Sequence, residues 1–259
     1  MSDTDTVRWH DHGSWGEVVL NRPEKGNALT MEMLERMDGI AGELAAREDV
    51  RVVVLRGAGD RFFCTGGDIQ AWGAMTPGVM ARDWILRGIE VFGRIARLPQ
   101  VVIAALNGHA LGGGLELALA ADLRVAAARA KFGTPEVTLG MIPGWLGTRR
   151  LAEIVGVSRA RHLILLGTPI PAAQALDWGL VTAVAETPEE FEQQLAAWRE
   201  RLCANGPVAM HLVKGILDTM HSDLRQHHAS AVAQAAATED CREGVQAFID
   251  KRPPVFRNR

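Results

Sequence analysis

The chain has 259 residues, 47% of them hydrophobic and 23% charged, with a formal net charge of −3. That length suits one large core with at most an appendage, and the composition is that of a globular chain rather than a disordered one. The charge argues against a nucleic-acid partner, the lack of any run of about 18 apolar residues against a membrane span, and the polar start Met-Ser-Asp-Thr-Asp-Thr against a secretory leader, so a cytoplasmic location is expected.

In chain order, residues 16–20 read as a strand that Asn21-Arg22-Pro23 breaks. Residues 30–47 read as a helix: Thr30 can cap it, and Met33, Leu34, Met37, Ile40, Ala41 and Leu44 recur at helical spacing. Residues 51–56 are β-branched and short, a buried strand, with Gly57-Ala58-Gly59-Asp60 as the turn after it. One long amphipathic helix is expected over 79–98, stopped by Pro99. Strands follow over 101–106 and 123–127, and between them Asn107-Gly108 marks a turn and a glycine run opens a helix. After about residue 145 the pattern turns helical, over 146–155, 159–166 and 171–178, with one strand near 180–184. Thr187-Pro188-Glu189-Glu190 is a helix start, with a threonine cap, proline in the first turn and glutamate at the capping-box position, and the rest to about 250 reads as helix. Strand–helix alternation at this spacing predicts an α/β fold with parallel strands. The expected division is an α/β core over 1–200 and a helical section over 201–259.

Three segments carry the candidate chemistry. Phe62-Phe63-Cys64-Thr65-Gly66-Gly67-Asp68-Ile69 exposes two glycines before a short helix. His109-Ala110-Leu111-Gly112-Gly113-Gly114-Leu115-Glu116 runs three glycines into an apolar helix with one carboxylate. Phe132-Gly133-Thr134-Pro135-Glu136 leads into Gly140-Met141-Ile142-Pro143-Gly144. Bare backbone N–H groups at a helix start can hold a carbonyl oxygen as it becomes an oxyanion. Taken alone, such glycines equally suit a tight turn or close helix–sheet packing, Glu116 suits a helix N-terminus, and Glu136 suits a solvated loop. Together they put two carboxylates near a candidate oxyanion hole, which acid–base addition across an activated double bond requires. Neither glycine segment matches Gly-x-Gly-x-x-Gly or a phosphate loop, and no Gly-x-Ser-x-Gly occurs. Cys64 is a conceivable thioesterase nucleophile, but no histidine is near it in sequence and a buried free thiol is the simpler reading. His109 reads first as a turn histidine bonded to backbone. The three cysteines and eight histidines show neither disulfide nor zinc-ligand spacing, so no metal is expected.

These segments, in this order, resemble the enoyl-CoA hydratase/isomerase, or crotonase, family. Asn21-Arg22-Pro23-Glu24-Lys25-Gly26-Asn27-Ala28-Leu29 is similar to its N-terminal signature, and 63–69, 107–118, 132–136 and 140–144 to its active-site set. Ala237-Thr238-Glu239-Asp240, with Glu243-Gly244 and Phe248-Ile249-Asp250-Lys251-Arg252, is similar to its C-terminal helix. The resemblance implies a spiral of strand–strand–helix turns with a helical C-terminal region that builds a homotrimer or a dimer of trimers. It implies an acyl-coenzyme A substrate, no cofactor besides it, and a thioester oxygen held by the amides of Gly67 and Gly113. Retention of both glutamates implies a hydratase, with Glu136 exchanging the Cα proton and Glu116 activating water; a Δ3,Δ2-enoyl-CoA isomerase using Glu136 alone is the competing activity, and a non-catalytic acyl-CoA-binding protein a third reading. Coenzyme A and substrate contacts are implied for Lys25, Ala28, Gly66, Asp68, Ile69, Gln70 and Gly144, and for Phe248 and Lys251 across a subunit boundary. Trp145 and Leu146 stand where the family often has smaller residues, and Ala236 where it often has phenylalanine. An altered acyl preference is therefore expected.

Overall fold

The computed structural model describes residues 5–73, 75–218 and 238–259, apart from the side chains of Val245, Phe248 and Ile249. Strands β1 (Val7–Asp11), β2 (Trp15–Leu20), β3 (Val52–Gly57), β5 (Val101–Leu106), β7 (Leu123–Ala127) and β10 (Ala183–Ala185) form a six-stranded sheet in the order β1-β2-β3-β5-β7-β10, parallel except for the β1–β2 pair. A smaller sheet runs β4-β6-β8-β9, from β4 (Phe62–Cys64), β6 (His109–Leu111), β8 (Lys131–Gly133) and β9 (Ile170–Pro171).

The chain order explains the spiral. β3, β5 and β7 each enter the large sheet; β4, β6 and β8 follow at once in the small sheet; helical segments then return the chain. Helix α1 (Met31–Ala45) lies before the first of these turns. Helices α2 (Ile69–Trp72), α3 (Pro77–Val79) and α4 (Leu86–Ala96) lie in the first, and α5 (Gly113–Ala118) in the second. Helices α6 (Gly147–Val155) and α7 (Val157–Leu166) follow β8. Helices α8 (Ala172–Asp177), α9 (Pro188–Cys203) and α10 (Pro207–Asp218) come next, and a last helix spans Glu239–Asp250.

The central strands are apolar on both faces, as parallel strands covered by helices must be. Val53 and Leu55 of β3 and Val102, Ala104 and Leu106 of β5 join the main core with α1 and α4. The alternate residues Val52, Val54, Ile103 and Ala105 pack with Phe191 and Leu195 of α9. Thr30 caps α1 by accepting the Met33 N–H at 3.3 Å, and every apolar residue read from its periodicity is buried.

Two expectations are corrected, and several strands were not anticipated. The single helix over 79–98 is a composite: α3, a wide π turn over Met80–Ile85, then α4. Periodicity averaged over the segment conceals such a turn, which shifts the apolar face by one residue. The strands of the small sheet carry too few residues to show a period of two, and β1, with sequence Val-Arg-Trp-His-Asp and its last two residues exposed, is too polar to stand out. The helical stretch after Thr187 is interrupted between Cys203 and Pro207, and residues 219–237, including Ala236, lie outside the described residues.

The segment 22–29 is stapled to the first glycine loop. Arg22 Nη1 donates to the Ala28 carbonyl at 2.6 Å, and Nη2 pairs with Asp68 Oδ2 at 3.0 Å. Asn27 is fully buried with φ of 55°; its Nδ2 donates to the carbonyls of Ala58 and Phe62, and its Oδ1 accepts the Arg22 N–H. Asn27→Ala leaves three half-buried partners unmet and puts an alanine in the left-handed region. A loss of about 3 kcal/mol is expected in urea unfolding.

Candidate active site

Three spiral turns bring the three sequence segments together. β4, β6 and β8 lie side by side and parallel, in the registers Cys64–Ala110 and Leu111–Gly133. Each therefore hands its loop to the same end of the small sheet. There Gly66, Gly67, Gly112, Gly113, Glu116 and Glu136 line one cleft that opens to solvent.

The two loops touch: a Cβ built on Gly66 would stand 3.0 Å from the Gly113 nitrogen. Gly113 is the first residue of α5, so its N–H has no acceptor within the helix. Among the described residues, no acceptor takes the N–H of Gly67 or of Gly113. Gly112, just before, has φ of 52° and ψ of −130°, a conformation open in practice only to glycine. A side chain on Gly113 would collide with Trp145, whose Cζ3 lies 2.3 Å from where the Cβ would be. The glycine run thus serves backbone conformation and indole packing, and it leaves one amide open to the cleft.

The two carboxylates differ in how they are held. Glu116 is 1% exposed, and its Oε1 accepts the N–H groups of Trp145 and Gly147 at 2.7 Å each. Burial raises its pKa, and the amides of Gly147, Trp145 and Gly144 pull it back. Glu136 has both carboxylate oxygens buried and without a hydrogen-bond partner among the described residues. Desolvation moves its pKa from 4.5 to about 7, and the nearby charge of Glu116 adds to it. A carboxyl titrating near neutrality can give or take a proton at working pH. One oxygen of Glu116 is fixed by backbone, whereas Glu136 is left with unmet hydrogen-bonding capacity that a ligand can use.

The apolar wall was not legible in the sequence. Trp72, Trp84 and Ile85 line the cleft beside the anticipated Trp145, Gly144 and Ile69. Spacing carried no sign of Trp72 or Trp84, whose indoles meet Gly67 from α2 and from the π turn over Met80–Ile85. Leu146, expected beside the acyl pocket, does not line the cleft. Its φ of 66° turns the chain there, and the side chain is exposed. Lys25, Ala28, Asp68 and Gln70 also lie outside the lining. Lys25 and Gln70 are exposed, Ala28 is buried, and Asp68 is committed to Arg22 and to capping the Gln70 N–H. Lys251 is exposed beyond the last helix and outside the lining, and the Phe248 side chain lies outside the described residues.

A family model described as enoyl-CoA hydratase/isomerase matches residues 12–259. The chain belongs to the enoyl-CoA hydratase/isomerase family. It is 38% identical to the short-chain-enoyl-CoA hydratase of Clostridium acetobutylicum, over 99% of this chain and 100% of that one. It is 38% identical to the crotonyl-CoA hydratase of Syntrophomonas wolfei, over 92% and 93%. The crystal structure of enoyl-CoA hydratase from Bacillus anthracis matches with a TM-score of 0.94 at 35% identity, over 98% of this chain and 100% of that one. The fold is the crotonase spiral, as the resemblance implied.

Within this enoyl-CoA hydratase/isomerase fold the alternative nucleophile fails on physical grounds. Cys64 is fully buried, and burial pushes its thiol up to about 12, so almost no thiolate exists at neutral pH. His109 accepts the Lys131 N–H at Nδ1, 3.1 Å away, a backbone-bonded histidine as expected. Among the described residues no helix is long and apolar enough to cross a membrane.

Proposed function

We propose that this enzyme catalyses the reversible addition of water to a trans-2-enoyl-CoA thioester. One observation carries the reading: two acceptorless amides and two desolvated carboxylates line the same cleft. The amides of Gly67 and Gly113 polarise the thioester oxygen. Water bonds through its oxygen to Cβ and gives a proton to the Glu116 carboxylate. Negative charge moves to the thioester oxygen, where the amides hold it. The enolate then takes a proton at Cα from Glu136 and collapses to the 3-hydroxyacyl thioester. A proton passes from Glu116 to Glu136 to reset the site. One water is consumed, no electron carrier is needed, and the largest contribution is electrostatic stabilisation of a charge that exists only between the two bond changes.

The apolar wall of Trp72, Trp84, Ile85 and Trp145 favours an unfunctionalised acyl group. The exposed leucines Leu165 and Leu166 of α7, with the helices after residue 201, support assembly into a trimer or dimer of trimers. Crotonyl-CoA is the first substrate to try. Absorbance of the conjugated thioester should fall on mixing, and the product made in H2¹⁸O should carry the label at C3. Binding without loss of conjugation would instead favour a carrier of acyl-CoA; retention of unsaturation with a moved double bond, from a 3-enoyl-CoA, would favour an isomerase.

A further inference from the structure

Two indoles of the cleft wall meet, and each lies against one of the two glycines whose amides are free. A Cβ on Gly67 would stand 2.9 Å from Trp84 Cζ2, and one on Gly113 would stand 2.3 Å from Trp145 Cζ3. The indoles touch one another, with ring centroids 5.2 Å apart at 53°. They are tied by a hydrogen bond as well, since Trp145 Nε1 donates to the Trp84 carbonyl at 3.2 Å. Both side chains are 3% exposed. Phe92 of α4 supports the Trp145 ring edge-on at 5.1 Å, and Gly88 is bare where that indole crosses α4: a Cβ there would lie 2.2 Å from Nε1. Trp84 sits in the π turn over Met80–Ile85, and that wide turn lies where the indole meets the other glycine loop. Trp145 has a third attachment: its backbone N–H is one of the two that hold Glu116 Oε1.

We infer that Trp84 and Trp145 form a positioning pair that fixes the separation of the two oxyanion amides and couples it to the placement of Glu116. The inference rests on the hydratase reading for the role of the amides, and on contact geometry for the rest. Neither indole touches the reacting bond by this reasoning. Each occupies the space into which its glycine loop would relax, so the amides arrive pre-spaced at the developing charge. Rigid placement of this kind matters because a shift of about 1 Å costs about 10²-fold in rate.

The test uses Trp84→Phe, Trp145→Phe and the double variant in the full chain, with Trp178→Phe as a remote control. Trp178 lies after α8, edge-on to His162. Two readouts are needed. One is crotonyl-CoA hydration, where kcat should fall about 10–100-fold in each single variant with KM within about threefold, and the double variant should lose less than the product of the singles because the rings act as a unit. The other is independent of turnover: bound acetoacetyl-CoA, whose enolate absorbs in the near ultraviolet, should show less enolate in both variants and unchanged enolate in Trp178→Phe. A merely structural role would lower the unfolding midpoint of all three and leave the enolate fraction alone, which overturns the pair. Retained kcat on crotonyl-CoA with a shift only toward longer acyl chains overturns it too, leaving the indoles as cleft wall and nothing more. If wild-type protein hydrates nothing but its enolate signal still drops in both variants, the hydratase reading fails and the pair stands.

Discussion

Glu136→Gln is expected to lower kcat for crotonyl-CoA hydration by about 10³-fold, with KM changed by less than about threefold. The substitution keeps the shape of a side chain whose two oxygens meet no protein donor, so it removes a proton carrier without breaking a hydrogen bond. The pH profile gives the sign. In hydration Glu136 must arrive protonated, and its pKa lies near 7 in the free enzyme, so kcat/KM should decline as pH rises through about 7. Dehydration of the 3-hydroxyacyl thioester uses the same singly protonated pair with its proton on Glu116, and hydration takes up no net proton, so kcat/KM for dehydration should decline over the same interval. The glutamine variant should lose the limb in both directions. Stability gives a second, opposite effect. The pKa of Glu136 is raised in the folded state, so folding favours its protonated form. The associated stability is complete below 4.5 and is lost as pH rises to about 7. Allowing for partial exposure, the loss is about 2 kcal/mol. Glu136→Gln should therefore be the more stable protein at pH 8, and the two should converge near pH 4, as urea unfolding at both pH values can measure. An inactive variant more stable than its parent marks a strained functional group rather than a structural one.

Glu116→Gln is the second large effect, and it separates the competing activities. A hydratase should lose about 10²- to 10⁴-fold in kcat, because no base remains to take the proton from water. An enzyme that only moves a double bond through Glu136 should lose much less. The amide oxygen of glutamine can still accept the N–H groups of Trp145 and Gly147, so the 144–147 loop should keep its conformation. Measuring hydration of crotonyl-CoA and isomerisation of a 3-enoyl-CoA on the same variant makes the comparison internal. A Glu116→Ala variant is a poorer probe, since it also leaves those two buried amides without an acceptor.

Legibility in the sequence followed the length over which each signal is written. Helix α1 was plain because six apolar residues and a capping threonine repeat one period over four turns. The central strands were plain because Val52–Leu55 and Val101–Leu106 are apolar without interruption. The small sheet was not, since its strands are two or three residues long, yet it is what aligns the three glycine- and glutamate-bearing loops. Residue types alone left Glu116 and Glu136 each with an ordinary explanation. Their joint position beside a candidate oxyanion hole paired them, the resemblance to a family gave each a role, and the register of β4, β6 and β8 gives the physical reason that they meet. The indole pair was invisible because Trp84 and Gly67, like Trp145 and Gly113, are joined only through space. The expectation for Leu146 failed for a local reason: with its backbone in the left-handed region, the chain reverses and carries the side chain to solvent while Trp145 turns inward.

A crystal structure with acetoacetyl-CoA bound is the most direct check of how the cleft works. The thioester oxygen should lie about 2.7–3.1 Å from the nitrogens of both Gly67 and Gly113. A carboxylate oxygen of Glu136 should face Cα, and one of Glu116 should face Cβ. A thioester carbonyl turned away from either amide, or an acyl chain leaving the two glutamates on the same side of a distant carbon, would contradict the proposed chemistry.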